Sequence, residues 1–519
     1  MMINAAGRKI PEHIEGYGKV RPYRGAFETP SSGEKAAAKK KDHFPGKVKL
    51  ADSLRDAIEK AGLKDGMTIS FHHHLRNGDR TVNLVMKEIA AMGFKDIHLA
   101  ATGLFACHEP LVGMIEDGVI TKISTDTFNP GPVATAIAAG KLKYPAVLMT
   151  HGGRPRAVEA GELHIDIAFI AAPSCDEQGN INGTEGPSAC GYLSYAYADA
   201  MYADVVVAVT DNLVPYPACP IEISQDFVDF IVCVDSIGDP GGIVSGSTKI
   251  TEDPVRLKIA SYAAQVADAA GHIREGMSFQ TGASGTSLAV AAEVRQMMKE
   301  RNIQGSFGLG GIHAYFVQML KEGLFKALLD AQCFDLAAIE SARKNKNHMG
   351  LSASLYANPH NAGCVAHQLD TVILGATEID LDFNVNVITG STGNIIGAAG
   401  GHSDTAAGAK LTVIVANLVR KNICVVRERV TTVTTPGESV DVLVTEYGIA
   451  VNPARKDLLK KLQNSGLPVV DIAELKRKGE EMAGPQKMPE TGSRIVGVVE
   501  YRDGTVIDVI RELNDDKNK

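Results

Sequence analysis

At 519 residues the chain is longer than one hydrophobic core ordinarily fills, and 45% hydrophobic with 22% charged residues is a composition able to bury roughly two to four domains. A formal charge of −8 with only two short basic runs, Lys39–Lys41 and Lys476–Lys478, argues against nucleic acid as a partner. The eight cysteines stand singly with no C-x-x-C pair, which suits reduced thiols and neither a disulfide framework nor a zinc knuckle.

Residues 1–46 are polar and rich in Gly, Pro and Lys, without the apolar segment of a signal peptide. They read as an irregular arm, either wrapped on a neighbour or a flexible lead-in. No run is apolar for long enough to span a bilayer, so the expected location is the cytoplasm, with no membrane partner. From residue 53 a helix is expected, with Leu54, Ala57, Ile58 and Ala61 on one face and Gly62 as its stop, followed by a strand at 67–71. Buried strands are expected at 97–101, 146–150, 165–171 and 205–210, with helices at 82–92 and 132–139 between them. Such alternation predicts parallel sheet flanked by helices.

After a helix at 254–272 the pattern restarts. Gly276-Met277-Ser278-Phe279 repeats the arrangement of Gly66-Met67-Thr68-Ile69, which places a boundary near residue 250 and gives two halves of related fold. The expected domains are the arm at 1–46, a first domain at 47–252 and a second at 253–519. In the second, a helix is expected at 284–301, a strand at 306–313, a helix at 316–327, strands at 372–379, 423–434 and 440–445, a last strand at 494–501, and a frayed end at 514–519.

Five constellations carry possible chemistry. The run Phe71-His72-His73-His74-Leu75-Arg76 ends a buried strand, where open α/β sheets bind ligands; His72, His73 and Arg76 suit an anion, or the histidines simply bond backbone carbonyls. Metal ligation there lacks a third donor at suitable spacing, so no metal is expected. Arg154 and Arg156, beside Gly152-Gly153, suit capture of carboxylates or form a solvated pair. The stretch from Ser174 to Asn180, with Glu185 beyond it, is a polar turn that could also hold an acid or base. Gly308-Leu309-Gly310-Gly311 and the loop from Ile388 to Asp404, with five glycines in seventeen positions, could aim backbone N–H groups at an oxyanion or phosphate, or could serve only as close-packed turns. No phosphate-binding G-x-x-x-x-G-K-[ST] loop or G-x-S-x-G elbow is present.

Taken in order, these motifs resemble the coenzyme A transferase superfamily. Gly397-Ala398-Ala399-Gly400-Gly401-His402-Ser403-Asp404 is similar to its G-x-x-G-G-x-x-D loop. Glu378-Ile379-Asp380-Leu381 with Val385-Asn386 resembles its E-[VI]-D-L…V-N stretch, and Thr445-Glu446-Tyr447-Gly448 its T-E-Y-G signature. The run at 71–79 and the overall length resemble, within it, the citrate lyase alpha chain family. That resemblance implies two related α/β domains, each an open, mainly parallel sheet. It also implies exchange of acetate for citrate on the thiol of a CoA-like group carried by an acetyl carrier protein, a citryl lyase beta chain as further partner, and a homo-oligomer. No permanently bound cofactor is expected; the substrate is the carrier's prosthetic group or free acetyl-CoA.

On this reading Gly400, Gly401, Gly310 and Gly311 supply oxyanion donors. His72, His73, Arg76, Arg154 and Arg156 hold citrate, and Asn386 and Ser391 orient citrate or the pantetheine arm. Gly397, Gly400, Gly401 and His402 meet CoA. Relatives that form an enzyme-bound thioester carry a Glu where this chain has His313-Ala314-Tyr315, and no Glu lies between Glu300 and Glu322. A citrate carboxylate would then attack the thioester itself, through a mixed anhydride. The alternatives are a ping-pong transferase using a glutamate, an acyl-CoA hydrolase, and a non-catalytic scaffold.

Overall fold

The computed structural model describes residues 1–39, 46–244, 250–282 and 284–513. The expected frayed end at 514–519 lies outside the described residues.

Two large sheets organise the chain. The first contains β1 (Thr68–Phe71), β2 (Ile97–Ala101), β3 (Ile120–Thr125), β4 (Ala146–Leu148), β5 (Ile167–Ala172), β6 (Val205–Thr210) and β7 (Phe230–Cys233), in the spatial order β7-β6-β5-β1-β2-β3-β4. The second contains β8 (Ser278–Thr281), β9 (Gly305–Ile312), β10 (Phe325–Cys333), β11 (His348–Gly350), β12 (Thr371–Gly375), β13 (Leu411–Val415), β14 (Val442–Thr445) and β15 (Gly448–Val451). Its order is β11-β10-β9-β8-β12-β13-β14-β15. Strand for strand, β1 to β7 and β8 to β14 follow one topology, and all pairs are parallel except β14 with β15. The repeated G-M-[ST] turns enter the equivalent strands β1 and β8. The central strands β5, β6, β12 and β13 are rich in apolar residues and almost wholly buried, as parallel strands covered on both faces must be.

The helices follow local rules. In Leu54–Ala61, Ser53 accepts a hydrogen bond from the Asp56 N–H, Gly62 closes the helix at φ 73°, and Ala57, Ile58 and Ala61 are buried. Gly323, at φ 74°, stops the helix Ala314–Lys321, so the helix expected over 316–327 gives way to β10 at Phe325. The strand expected at 372–379 breaks into β12 and Glu378–Asp380, and that at 423–434 survives only as Ile423–Cys424 and Val426–Arg427.

Both small three-stranded sheets beside the large ones repeat as well. Asp176 accepts from the Gln178 and Asn180 N–H groups and the Asn180 amide; Asp380 accepts from Asp382 N–H, Asn384 N–H and the Asn384 amide. The pattern Asp176-x-x-x-Asn180-x-Asn182 and its counterpart Asp380-x-x-x-Asn384-x-Asn386 thus build the same hairpin twice.

The end of the chain was assigned to the second domain, yet β16 (Thr491–Glu500) pairs in parallel with β4 of the first sheet and forms a hairpin with β17 (Val506–Leu513). The N-terminal arm packs on this hairpin rather than running free: Ile10, Ile14 and Val20 cluster with Val498 and Val506, and Asn4 Nδ2 donates to the Val506 and Ile507 carbonyls. Burying those side chains gives an otherwise polar arm its anchor. No described helix is long and apolar enough to cross a membrane.

Candidate functional site

The carboxyl ends of the two sheets face each other, and the segments leaving them interlock. At the end of β1, the His73 N–H donates to Thr102 Oγ1 (3.0 Å) and the ring Nδ1 lies 2.6 Å from the same hydroxyl. Gln332 Nε2 donates to the His73 carbonyl at 3.0 Å, so Gln332 Oε1, which can only accept, takes the His73 Nε2 proton at 3.0 Å, and in the neutral ring Nδ1 accepts from the Thr102 hydroxyl. Tyr195, His151 and Phe105 surround the ring. Burial first, then the neighbouring His151, hold His73 well below the usual histidine range, and both its ring nitrogens are bonded within the protein.

The glycine loop locks to the first half beside this pair. Gly400, at φ 53°, donates its N–H to the Asp126 carbonyl and accepts from the His151 N–H. Asp404 accepts from Thr150 Oγ1 and from the Gly152 N–H, each at 2.9 Å. Gly401 lies so close to Tyr356 that a Cβ would stand 2.7 Å from its hydroxyl. Since the Gly400 N–H is already bonded, the neighbouring Gly401 N–H is the better oxyanion donor of the two. Gly310, at φ 100°, packs against the Gln280 amide, and Gly311 against the Phe334 ring.

Arg76 stands over both Phe105 and Phe334, 5.5 and 4.8 Å from their centroids, and forms no ion pair among the described residues. Burial lowers its pKa. Both ring nitrogens of His74, Nδ1 of His72 and Oε1 of Gln280 are buried without a partner among the described residues. Native interiors rarely leave such atoms unbonded, so each is a place for a polar ligand or water.

The remaining sequence candidates have other work. Arg154 places two guanidinium nitrogens on Asp199, at 2.8 and 2.7 Å, and His72 Nε2 lies 3.0 Å from the same carboxylate. His72 and Arg154 thus share one buried acid that sequence reasoning overlooked, although an Asp within the apolar Ala196–Tyr202 helix was visible. Arg156 is two residues beyond Arg154 on a helix, which turns it roughly 200° away. It pairs with Glu162 at 2.9 Å in a separate cavity of about 350 Å³ lined by Arg21, Glu159 and His360. The two arginines therefore do not form one clamp.

Asn386 is occupied by Glu378, Thr389 and the Ile388 N–H, as the hairpin requires, and cannot orient a ligand. His402 bonds Thr435 through Nδ1 and the Gly375 carbonyl through Nε2, and burial lowers its pKa to about 4, which leaves neither nitrogen for CoA. Gly397 lets the chain pack on the Val387 carbonyl, where a Cβ would sit at 2.6 Å. Ser391 lines a different cavity of about 530 Å³ with Arg256 and Arg420. Sequence reasoning missed His74, His151, Tyr195, Gln280, Gln332 and Tyr356. His74 lay inside a motif already noted and His151 stands next to Gly152-Gly153, but their surroundings depend on distant segments.

A family model for the citrate lyase alpha subunit matches residues 47–513. The chain belongs to that family. The citrate lyase alpha chain of Klebsiella pneumoniae is 49% identical over 465 residues, covering 90% of this chain and 91% of the relative. The citrate lyase alpha subunit of Streptococcus mutans, solved in complex with citrate, superposes with a TM-score of 0.95 at 46% identity, covering 99% of this chain and all of that one. The malonate decarboxylase alpha subunit of Acinetobacter baumannii shares the fold, with a TM-score of 0.62 at 14% identity over 84% of this chain and 89% of its own. As a member of the citrate lyase alpha family the chain is a transferase.

Proposed function

We propose that the chain is the citrate CoA-transferase subunit of a citrate lyase, exchanging acetate for citrate on an acetylated carrier thiol without an acyl-enzyme. The supporting observation is Arg76, a half-buried guanidinium stacked on two rings at the seam with no carboxylate partner among the described residues. A planar fork held this way is prepared for a substrate carboxylate. The citrate complex of the Streptococcus mutans relative supports citrate as that substrate.

The chemistry needs no protein nucleophile. A citrate carboxylate oxygen attacks the acetyl thioester carbonyl; the C–S bond breaks, and a thiolate leaves a mixed acetyl-citryl anhydride. The thiolate then attacks the citryl carbonyl and expels acetate, so charge is conserved in each step. The protein positions the carboxylate and stabilises each oxyanion, for which the Gly401 N–H and the Gly310–Gly311 segment are the assigned donors, each worth about 3–4 kcal/mol.

The candidate glutamates are engaged elsewhere: Glu185 by Arg343, Glu378 by Asn386 and Thr431, and Glu446 by the Leu418 N–H. Tyr315, where an acyl-accepting Glu would stand, lies beside Arg295. The carrier protein and a citryl lyase chain are the partners this reading requires.

Incubation with acetyl-CoA followed by borohydride and mass spectrometry tests it. The expected result is no reduced glutamate and CoA exchange only when citrate is present. A stoichiometric adduct at any glutamate would establish a ping-pong route, and CoA release without citrate would establish hydrolysis.

A further inference from the structure

Behind the seam, on the far side of Gln332, three side chains of different chemistry converge. Asp330 and Cys333 flank Gln332 at the end of β10, and His348 begins the neighbouring β11. All three are at most 1% exposed. Asp330 Oδ2 lies 3.0 Å from Cys333 Sγ and 2.9 Å from His348 Nε2, and the three donor atoms all fall within 4.8 Å of one another. Asp330 Oδ1 accepts from the Gln332 N–H at 2.7 Å, so the carboxylate that gathers the cluster also shapes the turn presenting Gln332 to His73.

We propose that Asp330, Cys333 and His348 form a structural site for a tetrahedral transition-metal ion, zinc in the first instance. Thiolate, imidazole and carboxylate are the donors zinc takes, at about 2.3, 2.0 and 2.0–2.2 Å. Around a tetrahedral centre those bond lengths separate neighbouring donors by about 3.3–3.7 Å. The present separations from Oδ2, 3.0 and 2.9 Å, are about 0.4–0.7 Å shorter, an expansion within reach of side-chain rotation. Charge favours it too: one carboxylate, one thiolate and a neutral imidazole balance a divalent ion in a dry interior, where an unbalanced charge is costly.

Cys190, from the first half, lies outside this set of three donors. The adjoining Gly191 packs directly on the Cys333 sulfur, where any Cβ would overlap. Bound metal would fix the strand end that holds the His73 and Gln332 pair.

The alternative is a cluster of hydrogen bonds alone, and Cys333→Ser separates the two. A serine hydroxyl donates to Asp330 as the thiol does but is a poor zinc ligand. The full chain, expressed with zinc or with cobalt in the medium, is to be analysed by elemental mass spectrometry and absorption spectroscopy. Expected are about one metal ion per chain, a sulfur-to-cobalt charge-transfer band in the near ultraviolet for the cobalt form, and loss of both in Cys333→Ser. A chain that emerges from either medium without stoichiometric metal, or a Cys333→Ser chain that keeps its metal, overturns the proposal. Should the variant not fold, the metal content and cobalt spectrum of the unaltered chain decide the matter.

Discussion

His73 and Gln332, 259 residues apart in sequence, hold each other by two hydrogen bonds across the seam between the sheets. Each half contributes one donor and one acceptor, so neither half presents its part of the site correctly without the other. Gln332→Leu removes both bonds and leaves the buried His73 Nε2–H and carbonyl without partners. The expected cost is about 2–4 kcal/mol of stability together with a fall in citrate-dependent exchange. Denaturant unfolding and initial rates check it; unchanged values would mean the seam is held by packing alone.

Arg76→Gln removes the one cation assigned to a substrate carboxylate, with little expected change in unfolding temperature because no protein group loses an ion pair. The kcat/KM for citrate is expected to fall roughly 10- to 100-fold, the value of one or two charged hydrogen bonds, while KM for the acetyl donor holds. Arg76→Lys should recover part of the loss, since it restores charge but neither the planar fork nor the stacking on Phe105 and Phe334. Steady-state kinetics with each substrate varied distinguish these outcomes.

Asp199 answers to a different measurement. It neutralises Arg154 and also holds His72, and the nearby Arg154 charge keeps its pKa below the ordinary carboxylate range despite burial. Asp199→Ala strands a buried guanidinium and is expected to cost about 3–5 kcal/mol. The double variant Asp199→Leu with Arg154→Met should regain much of this. A double variant no more stable than the single one would show that the pair does more than balance charge.

His74 gives the chain an acid limb. Burial, then the His72 charge, lowers its pKa to about 3. A histidine depressed on folding binds fewer protons in the native state than in the unfolded one. Its contribution is therefore complete above about pH 6.5 and is lost as pH falls toward 3. The loss amounts to as much as about 5 kcal/mol. Stability measured by denaturant at pH 5 and 7 should fall less for His74→Leu than for the unaltered chain; parallel pH dependences would assign the acid limb to other groups.

Much of the fold was legible because it is written in local pattern. Runs such as Val205–Thr210 and the Ser53 cap needed only their own neighbours to be read, and the G-M-[ST] repeat pointed to two related halves. The repeat was in fact stronger than those turns suggested: the D-x-x-x-N-x-N hairpins at 176–182 and 380–386 were present in the sequence, and comparing them would have shown Asn386 to be structural. The terminal hairpin was not legible, since an antiparallel pair of strands does not declare which sheet edge it joins.

Taken alone, the sequence determined the parallel architecture, its duplication, the positions of the glycine loops and the absence of Glu between residues 300 and 322, because each is a property of composition or short-range periodicity. Only the tertiary structure decided which charges were already answered. Arg154 and His72 meet Asp199, Arg156 meets Glu162, and Arg76 meets aromatic rings and no carboxylate among the described residues, since electrostatic pairing acts through space between segments that the chain order keeps far apart.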